Sequence, residues 1–216
     1  MSRSILVAIS VGLLVGACQT GPSVELPIRC SFDDAPEAGL PSGWRTAETN
    51  GRGMPGAWAV RAESGGRIVR LVETENAEDT FNLLLTDDVF PSDLTVSVRV
   101  RADAGNEDQG GGVLWRAGGA NDYYVARWNP LEDNVRAYHV VGGRRTLIAN
   151  ADVEADRRAW HELTVSARGS TTEVGFDGTT VMRFEDDTLR GPGRIGLWTK
   201  ADAETSFDEL RVDRSR

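Results

Sequence analysis

From Ile28 onward, short runs of alternating apolar and polar residues are separated by clusters of Gly, Pro, Asn and Asp. The clearest run is 94–101. Leu94, Val96, Val98 and Val100 fall on one side, and Thr95, Ser97, Arg99 and Arg101 on the other. That period of two predicts a strand with one face on a core and the other toward solvent or ligand. Similar runs cover 57–61, 67–73, 80–86, 160–167, 171–177, 180–185, 194–199 and 205–212. Asp177-Gly178 and Gly142-Gly143 each join two runs as a tight hairpin turn would. No segment holds a helical period, and no internal repeat is present. About fourteen candidate strands at this spacing predict an all-β domain of two stacked antiparallel sheets.

The stretch 111–147, GGVLWRAGGANDYYVARWNPLEDNVRAYHVVGGRRTL, packs aromatics and arginines into successive short strands. Val113, Tyr124, Val125, Val135 and Val140 are expected to hold these strands on the core. Arg116, Arg127, Arg136 and Tyr138 are then candidates for the opposite face, where they would meet a flat polar ligand. Parity is open in two runs. If Arg116 faces out, so does Leu114; if Arg127 faces out, so do Val125 and Tyr123. Trp44, Trp58 and Phe81 read as core or rim packing.

The N-terminus changes the picture of where the chain works. Arg3 precedes an apolar run from Ile5 to Val15, closed by Val15-Gly16-Ala17-Cys18. This reads as an export signal, too short to span a membrane as a mature helix. Its last four residues resemble a bacterial lipobox, which implies acylation of Cys18 (palmitate or a similar chain) and several acyl chains for stable anchoring. Gln19 follows where an aspartate would mark retention at the inner membrane, so the expected location is the cell envelope, at the outer membrane facing the periplasm or the surface. The resulting organisation is a signal peptide over 1–17, a lipidated cysteine and flexible tether over 18–26, and one domain over 27–214. Removing 1–17 takes away one basic residue and no acidic one, so the formal charge moves from −9 to −10. A chain this acidic is a poor partner for a phosphate backbone, so nucleic acid is not expected as a ligand. With Cys18 lipidated, Cys30 has no intrachain partner and reads as a small buried side chain in the first strand.

The segments GGVLWR, NDYYVARWNPLEDNVRAYHV, WHELTV, FEDDTL and GRIGLWTKADAETSFDELRV resemble the bacterial 3-keto-disaccharide hydrolase domain family, called family 16 glycoside hydrolase-like, from about Phe32 to Val212. The resemblance implies a concanavalin A-like jelly-roll sandwich. That fold hosts lectins and glucanases alike, so function has to be argued from the site. Family 16 glucanases carry E-x-D-x-x-E on a strand, and retaining cleavage needs two carboxyl groups about 5 Å apart. The nearest match here, Glu73-Thr74-Glu75-Asn76-Ala77-Glu78, reads as a solvated acidic turn, so that activity is not expected.

The family label implies another chemistry, elimination across a glycosidic bond made labile by a 3-keto group, followed by hydration. That needs a base and an enolate stabiliser. Glu132 or Asp133 is the candidate base and Arg116 the candidate stabiliser; alternatively 130–134 is a hairpin turn whose Asp and Asn satisfy backbone amides. For carbohydrate binding the candidates are Arg99, Arg101, Arg116, Tyr123, Arg127, Asn129, Arg136 and Tyr138, expected on one concave face. Neither His139 nor His161 pairs with another His or Cys at ligand spacing, so zinc is not expected. Sandwiches of this fold often hold a structural calcium, for which Asp33, Asp34 and Asp208 are the candidate oxygen ligands. A carbohydrate-binding envelope lipoprotein is the leading reading, a 3-keto-glycoside hydrolase the second, and an envelope protein using its arginines to contact another protein the third.

Overall fold

In the computed structural model, residues 24–75 and 80–215 are described. They form fifteen strands: β1 (Ile28–Cys30), β2 (Trp44–Glu48), β3 (Met54–Glu63), β4 (Gly66–Glu75), β5 (Asn82–Thr86), β6 (Leu94–Ala104), β7 (Gly111–Gly119), β8 (Asp122–Asn129), β9 (Asn134–Val141), β10 (Arg144–Asp152), β11 (His161–Arg168), β12 (Thr171–Phe176), β13 (Thr179–Glu185), β14 (Arg194–Thr199) and β15 (Glu204–Arg214). One sheet runs β13-β12-β11-β6-β15-β4-β3, with β1 also paired to β15. The other runs β10-β9-β8-β7-β14-β5-β2. These are the two antiparallel sheets that the alternation predicts, arranged as the jelly-roll sandwich that the family resemblance implies. The two predicted turns are present: Gly142 and Gly143, and Asp177 and Gly178, all have positive φ, as a two-residue hairpin turn requires.

Strand β6 matches its sequence pattern. Leu94, Val96, Val98 and Val100 are fully buried between the sheets, and the intervening Thr95, Ser97, Arg99 and Arg101 lie on the outer face. Facing them across the core are Val113, Trp115, Tyr124, Ala126, Trp128, Val135 and Ala137 of the seven-stranded sheet. Trp115 stacks on Tyr124 with ring centroids 5.3 Å apart.

The seven-stranded sheet departs from the expectation. Its opposite face carries a second apolar cluster of Phe81, Leu83, Leu85, Leu114, Ala117, Tyr123, Val125, Tyr138, Val140 and Trp198. Val125 and Val140 therefore sit on the side away from the inter-sheet core, against the grouping expected for them. The cause is that β8 is apolar on both sides, so alternation alone cannot say which side faces in. The two open parities also resolve. Arg127 faces out together with Val125 and Tyr123. Leu114 faces out without Arg116, because Arg116 has φ 50° at a register shift between Trp115 and Gly119 that breaks the alternation.

Residues 1–23, including the signal, Cys18 and most of the tether, lie outside the described residues. At the tether's end, Val24 and Leu26 are partly buried against the core. Cys30 is half-buried against the same core, and burial pushes its thiol pKa up.

Candidate functional site

The β8–β9 hairpin builds a polar cluster at one end of the seven-stranded sheet. Asn129 Oδ1 accepts the amides of Leu131 (2.8 Å) and Glu132 (3.3 Å), which closes the turn. Asp133 takes φ 47° and its carbonyl accepts the Val153 amide at 2.8 Å. The turn folds Glu132 back over the outer face, where Arg127 and Arg136 stand directly opposite each other in the ladder. Like charges in that position repel. Both guanidiniums instead reach one carboxylate oxygen, Glu132 Oε2, each at 2.8 Å. Arg127 Nη1 also donates to Asn134 Oδ1 at 2.7 Å. Burial raises the pKa of the Glu132 carboxyl, but the hydrogen bond and charge of Arg127, with Asn134 and Arg136, outweigh it, so Glu132 is held below the usual glutamate range. The other oxygen, Oε1, has no hydrogen-bond partner among the described residues.

The cluster extends both ways. Arg136 Nε donates to Asn150 Oδ1 at 2.8 Å. On the far side, Asn129 Nδ2 donates to Asp108 Oδ1 at 2.6 Å and Lys200 Nζ lies 2.9 Å from Asp108 Oδ2. Asp108 is positioned by Asp202, whose carboxylate accepts the amides of Asn106 (2.6 Å), Glu107 (3.0 Å) and Asp108 (3.0 Å). Toward β10, the Arg145 guanidinium lies over the rings of Tyr138 (4.5 Å) and Phe81 (4.7 Å), with the Trp198 ring at 5.8 Å. Such contacts hold an arginine flat on an aromatic surface.

The arginines singled out in the sequence do not gather in one hollow. Arg127, Asn129, Glu132, Arg136 and Tyr138 come together at this end. Tyr123 shares the face but is fully buried, its hydroxyl bonded to Thr49 Oγ1 (2.8 Å) and Trp198 Nε1 (3.2 Å). Arg99 and Arg101 lie on the outer face of the other sheet, with Arg101 paired to Glu63 and Asp103, each at 2.7 Å. The Arg116 side chain is 2% exposed and donates to the carbonyls of Ser92 (2.9 Å), Leu189 (3.1 Å) and Gly169 (2.7 Å). Its charge is spent tying loops together. Asp133 is an exposed turn residue, and the carboxylate that both guanidiniums reach is that of Glu132, not Asp133. Lys200, Asp108 and Arg145 were not singled out; the only sequence signal for Arg145 is its place directly after the Gly142-Gly143 turn.

The carboxylates expected to hold calcium do not assemble into a cage. Asp33 and Asp208 border one cleft on the eight-stranded sheet, whereas Asp34 lines, with Asp33, a second cavity near Trp44 that Asp208 does not reach. Asp33 Oδ1 accepts the Arg67 amide at 2.8 Å, and the Arg99 guanidinium stands 4.0 Å from Asp208. Among the described residues, no group of three or more His, Cys, Asp or Glu side chains is arranged to hold a metal ion. The two histidines are both engaged. His139 Nδ1 lies 3.2 Å from Asp186, and His161 contacts Asp177 and the Asp156 carbonyl, each at 2.7 Å.

For the acidic segment 73–78 the expectation is a solvated turn. In the structure β4 continues through Glu75, and Asn76 to Glu78 lie outside the described residues.

Solved structures with the same fold include the carbohydrate-binding module CBM66 from Bacillus subtilis (22% identity, TM-score 0.65, covering 79% of this chain and 95% of that one). A β-1,3-1,4-glucanase (lichenase) derived from a mouse hindgut metagenome shares 16% identity at TM-score 0.61, over 87% of this chain and 99% of its own. The Bacillus licheniformis β-glucanase shares 13% at TM-score 0.61, over 91% and 100%. At these identities the likeness establishes the fold. No curated protein matches the chain. The model of the 3-keto-alpha-glucoside-1,2-lyase-like domain matches residues 32–213, every strand from β2 to β14 and all but the last residue of β15. The chain belongs to the 3-keto-alpha-glucoside-1,2-lyase-like domain family.

Proposed function

We propose that this protein is a carbohydrate-binding domain of the cell envelope whose ligand sits against Arg127, Glu132 and Arg136. The observation that carries this reading is the shared grip of two guanidiniums on one oxygen of Glu132. It fixes an ionised carboxylate with its second oxygen open, beside the partly exposed guanidinium of Arg136. A sugar presents adjacent hydroxyls, one of which can donate to Glu132 Oε1 while its neighbour accepts from Arg136. Behind this pair the buried Asn129 and Asp108 hold the turn and the partly exposed Lys200 in place, and Lys200 adds one more donor at the rim. The solved carbohydrate-binding module and glucanases of this fold support the ligand class.

The test is a glycan array followed by titration calorimetry with any sugar retained. Arg136→Ala is expected to weaken binding roughly 10- to 100-fold, the worth of one charge-assisted hydrogen bond, with an unchanged circular-dichroism spectrum. Retention of no glycan, or equal affinity in the variant, removes the reading; capture of an envelope protein that free glycan does not compete would favour the protein-contact alternative.

Family membership favours a second reading at the same site, cleavage of a 3-keto-α-glucoside. The C2–H bond breaks to a base, the electrons form a C1–C2 double bond, and the C1–O bond breaks with its pair leaving on the aglycone oxygen, which takes a proton. Arg127 and Arg136 would steady the enolate oxygen and Glu132 would take the C2 proton. A carboxylate held this low is a weak base, but it stays ionised in mild acid. With 3-keto-trehalose as substrate, free glucose release is expected to persist down to the ordinary glutamate range, falling only below it, and to be lost in Glu132→Gln. An acid limb near neutrality, or a fully active Glu132→Gln, excludes Glu132 as the base.

The lipobox-like Val15-Gly16-Ala17-Cys18 supports the envelope location. Cys18→Ser is expected to abolish incorporation of labelled palmitate and to move the protein from the membrane to the soluble fraction.

A further inference from the structure

Between Asp208 and Arg211, strand β15 contains one residue more than β6 does opposite it. Asp208 pairs with Arg99 and Arg211 with Ser97, so three steps along β15 match two along β6. Phe207, Leu210 and Val212 all point into the core, at 0, 1 and 0% exposure. The supernumerary residue is therefore turned outward, with Glu209 at φ 46°, and both Asp208 and Glu209 stand on the outer face. Bulges re-aim side chains in this way and recur beside functional sites.

Above this bulge lies a cleft of about 430 Å³, within the usual size of ligand pockets, bordered by Asp33, Glu63, Arg67, Arg99, Trp160, Asp208 and Glu209. Trp160 is half-buried just before β11, with the guanidiniums of Arg99 and Arg101 5.0 and 4.7 Å from its ring centroid. Arg101 is locked by Glu63 and Asp103. Arg99 is not: it makes no hydrogen bond among the described residues and its one ion-pair contact is the 4.0 Å approach to Asp208. That gap is too long for a direct hydrogen bond, yet one hydroxyl oxygen fits between the two groups at bonding distance from each, donating to the carboxylate and accepting from the guanidinium.

We propose that this cleft is a second ligand site, separate from the Arg127–Glu132–Arg136 cluster on the other sheet, and that it takes a neutral polyhydroxylated ring, an α-glucoside or similar sugar. The charge pattern selects the class. A free anion meets Asp33, Asp208 and Glu209, and a free cation meets Arg67 and Arg99. A neutral polyol answers both signs, while its C–H face packs on the exposed edge of Trp160. Burial raises the pKa of the Asp208 carboxyl, with the charges of Glu209 and Asp33 adding to the effect against the Glu209 amide, which donates to Oδ1 at 2.7 Å, and the charge of Arg99. Oδ2, facing Arg99, is the oxygen left for a hydroxyl donor.

The test uses the full-length protein with 15N-labelled tryptophan indoles, the Trp160 signal being identified by its absence in Trp160→Phe. Methyl α-glucoside, maltose and trehalose are each titrated to tens of millimolar, with calcium chloride and sodium phosphate titrated separately. Saturable movement of the Trp160 indole by at least one sugar is expected, weakened about tenfold or more in Arg99→Ala and in Asp208→Asn and unaffected by Arg136→Ala. Unchanged affinity in Arg99→Ala, no response to any of the three sugars, or saturation by calcium or phosphate instead would each overturn the proposal. Loss of glycan binding in Arg136→Ala with the Trp160 response intact would leave the two sites distinguished.

Discussion

Arg116→Met is expected to destabilise the domain by about 3–5 kcal/mol, although it replaces a charged residue by an apolar one of similar length. The guanidinium donates to three backbone carbonyls, from the β5–β6, β11–β12 and β13–β14 connections. Methionine fills the space and supplies no donor, so carbonyls in a nearly dry site lose their partners, each at about 1–3 kcal/mol. For a domain of this size the melting temperature should fall by about 6–20 °C. Differential scanning calorimetry checks this; a fall of under two degrees would mean the carbonyls find water. Arg116→Lys should recover little, since one ammonium cannot reproduce the planar fork that spans three loops.

Gly112→Ala is expected to be at least as damaging. A Cβ at Gly112 would lie 1.9 Å from the Ala126 carbonyl oxygen and 2.7 Å from Arg127 Cα, both backbone atoms of the adjacent strand. Side chains can rotate away from an added methyl, but here β8 itself must move, at the middle of a sheet packed on both faces. The cost should exceed the ~1–3 kcal/mol typical of overpacking. Because Arg127 rides on the displaced strand, the grip on Glu132 should loosen too. Loss of cooperative unfolding, or recovery only in inclusion bodies, is the expected outcome; a melting temperature within a few degrees of the parent would show that β7 and β8 can separate cheaply.

The strands were legible in the sequence wherever one face is apolar and the other polar. Leu94 to Arg101 is the clear case, and both two-residue turns were visible in their Gly content. The β7 to β9 region resisted, since Tyr123, Val125, Tyr138 and Val140 make a second apolar layer and cancel the alternation that would have assigned the faces. Arg116 was misplaced because a local backbone kink, invisible in residue type, turns it away from Leu114. The assembly of the site was harder still. Alternation reports the side of its own strand on which a residue lies, not the sheet to which that strand belongs. Arg99 and Arg101 share a residue type with Arg127 and Arg136 but sit on the other sheet. Asp108 and Lys200 reach Asn129 only through long-range pairing. The grip on Glu132 needed the turn geometry that Asn129 sets by accepting the amides of Leu131 and Glu132; residue type announces a turn over 130–134 but points to its Asp and Asn for that role, not to Asn129.

The unmatched residue in β15 has a consequence for how this fold tolerates change in length. Excising one residue from a strand ordinarily inverts every side chain beyond the cut. At Glu209 the reverse holds: without it, Phe207, Asp208 and Leu210 would run in, out, in, and both flanks would keep their partners on β6. The last strand of the sandwich can thus be shortened by one position with its register on β6 and its inward faces kept, the cleft being lost and β1 drawn one position toward β4 along its other edge.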